Sequence, residues 1–255
     1  MRLLDSIVAR GSPTMANRVK ALAGRVFWFA LDKGYLPEGA LNPVKSIAGL
    51  PGGKEESRDR VLGEDEIRKL WAALQAHPEP TASAFRLMLL TGQRPGEVLA
   101  MRWDQLEGGV WIIPATVAKN AKVHSIPLPS MAQKVLDDLI ASESCSDWVF
   151  PSPKGDGPIR WIASARNKLA AGTGFDFRAH DLRRTAATHW ARIGVREELV
   201  SRLLNHKIPG ETSEVYNRWR YLPEMEKALE RWVYEVDRIV NKKTATVARI
   251  GRLEE

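Results

Sequence analysis

Residues 110–128 of this 255-residue sequence hold two short runs rich in the β-branched residues that paired strands favour. Elsewhere apolar residues recur at spacings of three and four, the period of amphipathic helices. Residues 110–113 and 123–128 are the two candidate strands, and the connection between them carries Lys119, Asn120 and Lys122. The pattern predicts a mainly helical α+β fold with one small antiparallel sheet.

Residues 14–31 place Met15, Val19, Leu22, Val26 and Phe29 on one stripe, with Gly34 where a helix C-cap falls. Arg18 and Arg25 share another face, open to solvent or to phosphates. Residues 50–60, LPGGKEESRDR, combine Pro, two Gly and dense charge without a period, which is linker composition. Beyond them Glu64, Asp65 and Glu66 favour a helix start, and Leu62 is spaced to staple onto Ile67. Further helices are expected over 82–90, from Pro95, over 162–171, over 181–193 with Gly194 as cap, over 196–204 and over 223–240. Ser130 with Gln133 reads as the capping box of one more helix, and residues 148–150 as a short extra strand.

The single cysteine, Cys145, excludes an internal disulfide and a multi-cysteine metal site. It fits a reducing compartment, so the cytoplasm is the expected location. The first residues, MRLLDSIVARGS, carry Asp5 and Arg10, and apolar runs such as 26–31 are far too short to cross a bilayer, so no membrane role is expected. The net charge of +7 suits a polyanionic partner only weakly, but its placement is uneven. Residues 160–220 hold 12 basic and 6 acidic side chains and residues 1–60 hold 10 and 6, whereas residues 61–159 hold 9 and 12. The excess gathers in residues 1–60 and 160–220.

Four local patterns carry chemistry. In TGQRPGE, Arg94 precedes a helix that starts at Pro95, and a helix start with an arginine is a phosphate site or an ordinary corner. In HDLRR, His180 and Arg183 share a helical face at i, i+3, which puts a planar fork beside a group that titrates near neutrality. In LLNH, His206 ends a helix as a cap or as a reactive group. Tyr216 lies ten residues on in the polar stretch EVYNRWRY, with stacking as its ordinary use. Together, two arginines, two histidines and a tyrosine without a metal-ligand cluster point to phosphoryl transfer onto a tyrosine hydroxyl, with arginine stabilising the charge.

The ordered set resembles the tyrosine recombinase (phage integrase) family, and within it the prophage-type integrases, over residues 14–229. Arg94 in TGQRPGE, followed by VLAMRW, is similar to the family's first catalytic arginine; Lys119 in AKNAKVHSIPL is similar to its hairpin lysine; and His180 with Arg183 is similar to the HxLRR box. His206 matches the LLGH box and Tyr216 the nucleophile. The resemblance implies that Tyr216 attacks a DNA phosphodiester to form a 3′-phosphotyrosyl intermediate while Arg94 and Arg183 clamp the phosphate and His206 donates to it. It implies that His180 assists proton transfer at Tyr216 and that Lys119 protonates the leaving 5′ oxygen. Glu97 resembles an acidic position behind these residues, with a solvated acid near a helix start as the other reading. Neither cofactor nor metal is implied.

The same resemblance implies duplex DNA as partner, a synaptic tetramer of the chain itself, cleavage in cis, and DNA-bending accessory proteins. It divides the chain into a partial helical core-binding segment (1–49), a linker (50–60), a catalytic domain (61–240) and a tail (241–255). Three features depart from the pattern. Asn205 stands where the LLGH box has Gly, and Asn tolerates the left-handed conformation next best. The hairpin offers Lys122 besides Lys119. About fifty residues precede the linker, the equivalent of only the final helices of a core-binding domain, so a truncated product or a reduced DNA clamp is expected. Two other functions fit in part: a non-catalytic DNA-binding protein using residues 186–206 as a helix-turn-helix, and a type IB topoisomerase-like relaxase.

Overall fold

The chain divides into two units, Met1–Arg58 and Asp59–Glu255. The computed structural model describes residues 2–56, 58–77, 80–141, 146–206 and 221–241. In the first unit α1 (Arg2–Ala9) buries Leu4 and Ile7, and α2 (Pro13–Asp32) starts on a proline suited to the first helical turn. Gly34, at φ 68°, ends α2 as expected: its N–H donates to the Leu31 carbonyl at 3.1 Å and the Tyr35 N–H to the Ala30 carbonyl at 2.8 Å.

The apolar stripe of α2 behaves differently from its amphipathic reading. Met15, Leu22, Val26 and Phe29 are all more than half exposed, whereas the buried residues of the helix are Ala16 and Asn17. The Asn17 amide explains the inversion. It donates to the Gly53 carbonyl at 3.0 Å and the Glu55 carboxylate at 3.2 Å, and accepts the Gly52 N–H at 2.8 Å, so residues 52–55 fold back along α2.

In the second unit the helices are α3 (Glu64–Ala76), α4 (Pro80–Thr91), α5 (Pro95–Leu99), α6 (Ser130–Ile140), α7 (Ala163–Thr173), α8 (Ala179–Arg192), α9 (Glu197–Leu203) and α10 (Leu222–Val240). A three-stranded antiparallel sheet, in the order β1 (Leu106–Glu107), β2 (Val110–Ile113), β3 (His124–Pro127), pairs Leu106 with Trp111 and Ile113 with His124. Inward residues of β2 and β3, Trp111 and Ile126 among them, join Phe85, Phe150, Phe177, Trp190 and Trp232 in one core. The α3 start follows the expected staple, with Leu62 and Ile67 both fully buried.

Contacts distant in sequence tie the unit together. Trp232 of α10 donates its indole N–H to the Leu89 carbonyl at 3.0 Å, and its ring lies 5.2 Å from His189 of α8. Leu62 is held by α8 through its N–H, which donates to Thr185 Oγ1 at 2.9 Å. Two local expectations fail. The Ser130–Gln133 capping box does not form: Pro129 is the N-cap, and the Ser130 N–H and hydroxyl donate to Glu230 of α10 at 2.6 and 2.9 Å while Gln133 donates to the Leu128 carbonyl. Residues 148–150 make an isolated bridge, Trp148 to Arg102, rather than a strand.

The corner between α4 and α5 depends on Gly92. Its φ of 65° is left-handed, and a Cβ built there would lie 2.5 Å from Cη2 of the buried Trp190. Gly92→Ala combines left-handed strain with overpacking against a rigid indole, an expected loss of about 2 kcal/mol. The urea midpoint would fall accordingly; an unchanged midpoint would mean that the corner can relax.

Candidate active site

The site is built where four elements meet the end of α9. That helix stops in a left-handed residue, Asn205 at φ 50°, with the Asn205 N–H donating to the Arg202 carbonyl and the His206 N–H to the Ser201 carbonyl, both at 2.9 Å. This is the termination expected for a Gly in the LLGH box, achieved by Asn. A helix end leaves carbonyls without intrahelical donors, and here side chains from elsewhere supply them. The Leu203 carbonyl accepts from Gln93 Nε2 at 2.9 Å and faces His124 Nε2 at 3.3 Å, the Leu204 carbonyl accepts from Arg183 Nη2, and the Asn205 carbonyl accepts from Asn120 Nδ2 at 3.3 Å. His206 is therefore aimed by the α4–α5 corner, by α8, by β3 and by the β2–β3 connection at once.

Arg183 is the centre of this arrangement. Asp181 accepts the Arg178 N–H at 2.8 Å and so caps α8, which leaves the next turn to carry Arg183 inward. The structure buries Arg183 at 4% exposure, beside the fully buried Leu182. Its Nη1 donates to the Gly92 carbonyl at 2.8 Å, and Nη2 lies 3.4 Å from His206 Nε2 as well as bonding Leu204. A guanidinium only donates, so Nε2 of His206 is the acceptor of that contact and the ring proton sits on Nδ1. Among the described residues no carboxylate forms an ion pair with Arg183. Burial, and next the Arg94 charge, push its pKa down to about 10 against the pull of Glu97. Its partners are neutral carbonyls, which leaves the positive charge available to an anion.

Arg94 is the N-cap of α5, with Pro95 in the first helical position as expected. Its own N–H is occupied by Glu97 Oε2 at 3.2 Å, so an anion at this corner would meet the guanidinium and not that amide. Arg94 Nη1 donates to Glu97 Oε1 at 2.9 Å, and the same oxygen accepts the Lys119 N–H at 3.3 Å. Glu97, 3% exposed, is thus a buried link between Arg94 and the lysine-bearing connection, not a solvated acid. The Lys119 side chain itself is exposed.

His180 sits in the first turn of α8, exposed, with its pKa lowered by partial burial and then by Arg183 and Arg184, with Arg94 adding to them and Asp181 opposing. Burial, followed by Arg183 and Arg94, lowers that of His206 too. Both imidazoles are neutral near pH 7. Five expected residues, Arg94, Glu97, Lys119, Arg183 and His206, are joined by hydrogen bonds or contacts through this network, and His180 is coupled to it by charge. Tyr216, with the tail beyond 241, lies outside the described residues.

Three participants lie inside the quoted motifs but are not singled out there as site residues. Gln93 bridges Thr91 and Leu203 through its amide, Asn120 holds Asn205, and His124 lies buried on β3. For His124 a signal existed: it alternates with Ile126 on the inward face of its strand, where an imidazole needs a partner.

A sequence profile described as the phage integrase family matches residues 60–221, more than half of the sequence. The chain belongs to that family. Among its relatives, the prophage integrases IntZ and IntA of Escherichia coli are 27% and 28% identical over 237 and 242 residues, 91% of this chain in each case. The chain spans 58% and 57% of the lengths of those two proteins. Among solved structures, a lambda integrase dimer bound to a COC′ core site superposes with a TM-score of 0.63 at 20% identity, covering 81% of this chain and 77% of that one. The Tn1549 transposon integrase in complex with circular intermediate DNA gives 0.64 at 15% identity, covering 81% and 76%. These likenesses show that this family member has the tyrosine recombinase catalytic fold: mainly helical, with the small three-stranded antiparallel sheet. No helix among the described residues is long and apolar enough to cross a membrane.

Proposed function

We propose that the chain is a site-specific recombinase that cuts and rejoins duplex DNA, with Tyr216 as nucleophile. The phenol oxygen bonds to phosphorus, the bond from phosphorus to the 5′ oxygen breaks, and the 3′ end of the strand remains as a phosphotyrosine. The phenol proton passes to His180, whose depressed pKa keeps it a free base at neutral pH, and Lys119 gives a proton to the 5′ oxygen. A 5′-hydroxyl from a partner strand then attacks in reverse. Arg94 and Arg183 hold the non-bridging oxygens as charge builds, and His206 donates its remaining N–H. The phosphotyrosine conserves the bond energy, so the proposal calls for no cofactor.

The observation that carries this reading is the convergence of the Arg183 fork, His206 and the Arg94–Glu97–Lys119 link around one unneutralised positive charge. Lys119 is chosen over Lys122 because its backbone is held by the carboxylate that also orients Arg94. The proposal places the work in the cytoplasm and extends to a tetramer of the chain on DNA, with DNA-bending proteins in the same assembly. It assigns residues 1–49 to the DNA clamp, 50–60 to the linker, 61–240 to the chemistry and 241–255 to a tail.

Covalent trapping tests it. The chain is incubated with a library of nicked suicide duplexes of randomised core sequence, and denaturant-stable protein–DNA adducts are digested and mapped by mass. The expected result is a nucleotide on the peptide containing Tyr216. A nucleotide on another residue overturns the choice of Tyr216, and DNA binding without any adduct makes the chain a binding protein. Plasmid relaxation without strand exchange leaves the topoisomerase-like activity.

A further inference from the structure

Asn120 and Asn205 are 85 residues apart, and their side-chain amides pair reciprocally: Asn120 Nδ2 donates to Asn205 Oδ1 at 2.8 Å, and Asn205 Nδ2 donates to Asn120 Oδ1 at 3.2 Å. Asn120 Nδ2 also reaches the Asn205 carbonyl at 3.3 Å, and its Oδ1 accepts the Lys122 N–H at 3.3 Å. One amide thus braces the turn that follows Lys119, where Ala121 adopts a left-handed φ of 55°, and joins it to the residue before His206. A glycine at 205 would keep the backbone, and the carbonyl that Asn120 reaches, and lose the reciprocal side-chain pair. We infer that the Asn120–Asn205 pair is a positioning device that holds the β2–β3 connection against the end of α9, so that Lys119 stands ready at the leaving oxygen.

The physical reason is entropic. The connection spans residues 114–123, and Lys119 lies within it on an exposed, flexible stem. Without a tether the ammonium would sample many positions, and proton transfer requires near hydrogen-bond distance. Glu97 fixes the Lys119 N–H from one side and the amide pair fixes the next residue from the other. Paired amides are neutral, so the tie adds no charge to a site that must take an anion. This inference rests on the reading of Lys119 as the general acid, and the test separates the two.

The probe is the nicked duplex that the parent chain traps best, made once with the ordinary 5′-bridging oxygen and once with sulfur there. A thiolate leaves without a proton, because thiol pKa values lie near 8.5, far below those of alcohols. Asn205→Gly and Asn120→Ala are each expected to slow adduct formation on the oxygen substrate on the order of tenfold, by loss of orientation. On the sulfur substrate each recovers most of that loss. The double variant is no slower than either single one, since both remove one pair. Amide exchange over residues 118–123 rises in Asn205→Gly, a readout independent of DNA.

If Lys119→Ala itself gains nothing from sulfur, Lys119 is not the acid, and the reading falls together with the inference. If sulfur rescues Lys119→Ala but the Asn variants are slowed equally on both substrates, the defect lies in His206 or the fold, and the inference alone is overturned. Unslowed Asn variants, additive losses, or unchanged exchange overturn it as well.

Discussion

Arg183→Lys is expected to slow adduct formation on a nicked duplex by on the order of 10²–10³-fold, about 3–4 kcal/mol of transition-state stabilisation, with DNA affinity nearly unchanged. The substitution keeps the charge and removes the fork. In the native site one nitrogen is fixed by the Gly92 carbonyl and the other by the Leu204 carbonyl, with His206 beside it. A lysine ammonium is a single point that cannot span both carbonyls and still present a planar edge to two phosphate oxygens. Binding, under the proposed function, would draw on many cations of the basic segments 1–60 and 160–220 and hardly notice one buried residue. Single-turnover trapping and filter binding, performed where urea curves show both proteins folded, measure the two quantities. A rate within a few-fold of the parent would show that the fork is structural, a brace for the end of α9, and not a clamp on phosphate.

How much of this site can be read in the sequence depends on whether a group has side-chain identity. Arg94, Arg183 and His206 stand in recognisable spacings because the proposed chemistry calls for those side chains themselves. Their fixing partners include the carbonyls of Gly92 and Leu204, which any residue would supply, so nothing in the letters marks them. Asn205 is legible as a left-handed helix end, but its pairing with Asn120 joins positions 85 residues apart. Glu97 is visible as a neighbour of Arg94 through helical spacing, and its contact with the Lys119 amide is visible only in three dimensions.

The fold divides in the same way. Long helices such as α8 and α10 announce themselves by period and by their glycine or proline ends. The eight-residue α1 and the two-residue β1 are too short for a period to accumulate. The capping box at Ser130 fails because Glu230, 100 residues later, offers a carboxylate to the Ser130 N–H that Gln133 would have accepted and to the hydroxyl, and a charged acceptor outcompetes a local amide. The apolar stripe of α2 misleads for a related reason: the buried amide of Asn17, with three hydrogen bonds to residues 52–55, decides which face is covered.

His124 gives the second large effect, on stability rather than rate. Burial pushes its pKa down to about 4; the Leu203 carbonyl and Glu97 oppose the shift, and Arg183 and Arg94 add to it. The unfolded chain holds this imidazole near 6.5. Between those values the unfolded state binds a proton that the folded state refuses, so stability is complete above about pH 7 and is lost as pH falls through 6.5 toward 4. The loss assigned to His124 is about 2 kcal/mol at pH 5 and approaches about 3 kcal/mol at pH 4. His180, His189 and His206, whose values are also lowered, and the depressed carboxylates Glu66 and Glu235 weaken the fold in the same direction, so the parent curve alone does not isolate it. His124→Leu does, because the Leu203 carbonyl keeps its bond from Gln93 when the imidazole is gone. Urea unfolding of both proteins at pH 7 and pH 5 should show a loss about 2 kcal/mol smaller in His124→Leu. Parallel losses in the two proteins would mean that His124 takes up its proton in the folded state as readily as in the unfolded one, and that burial does not hold the imidazole neutral.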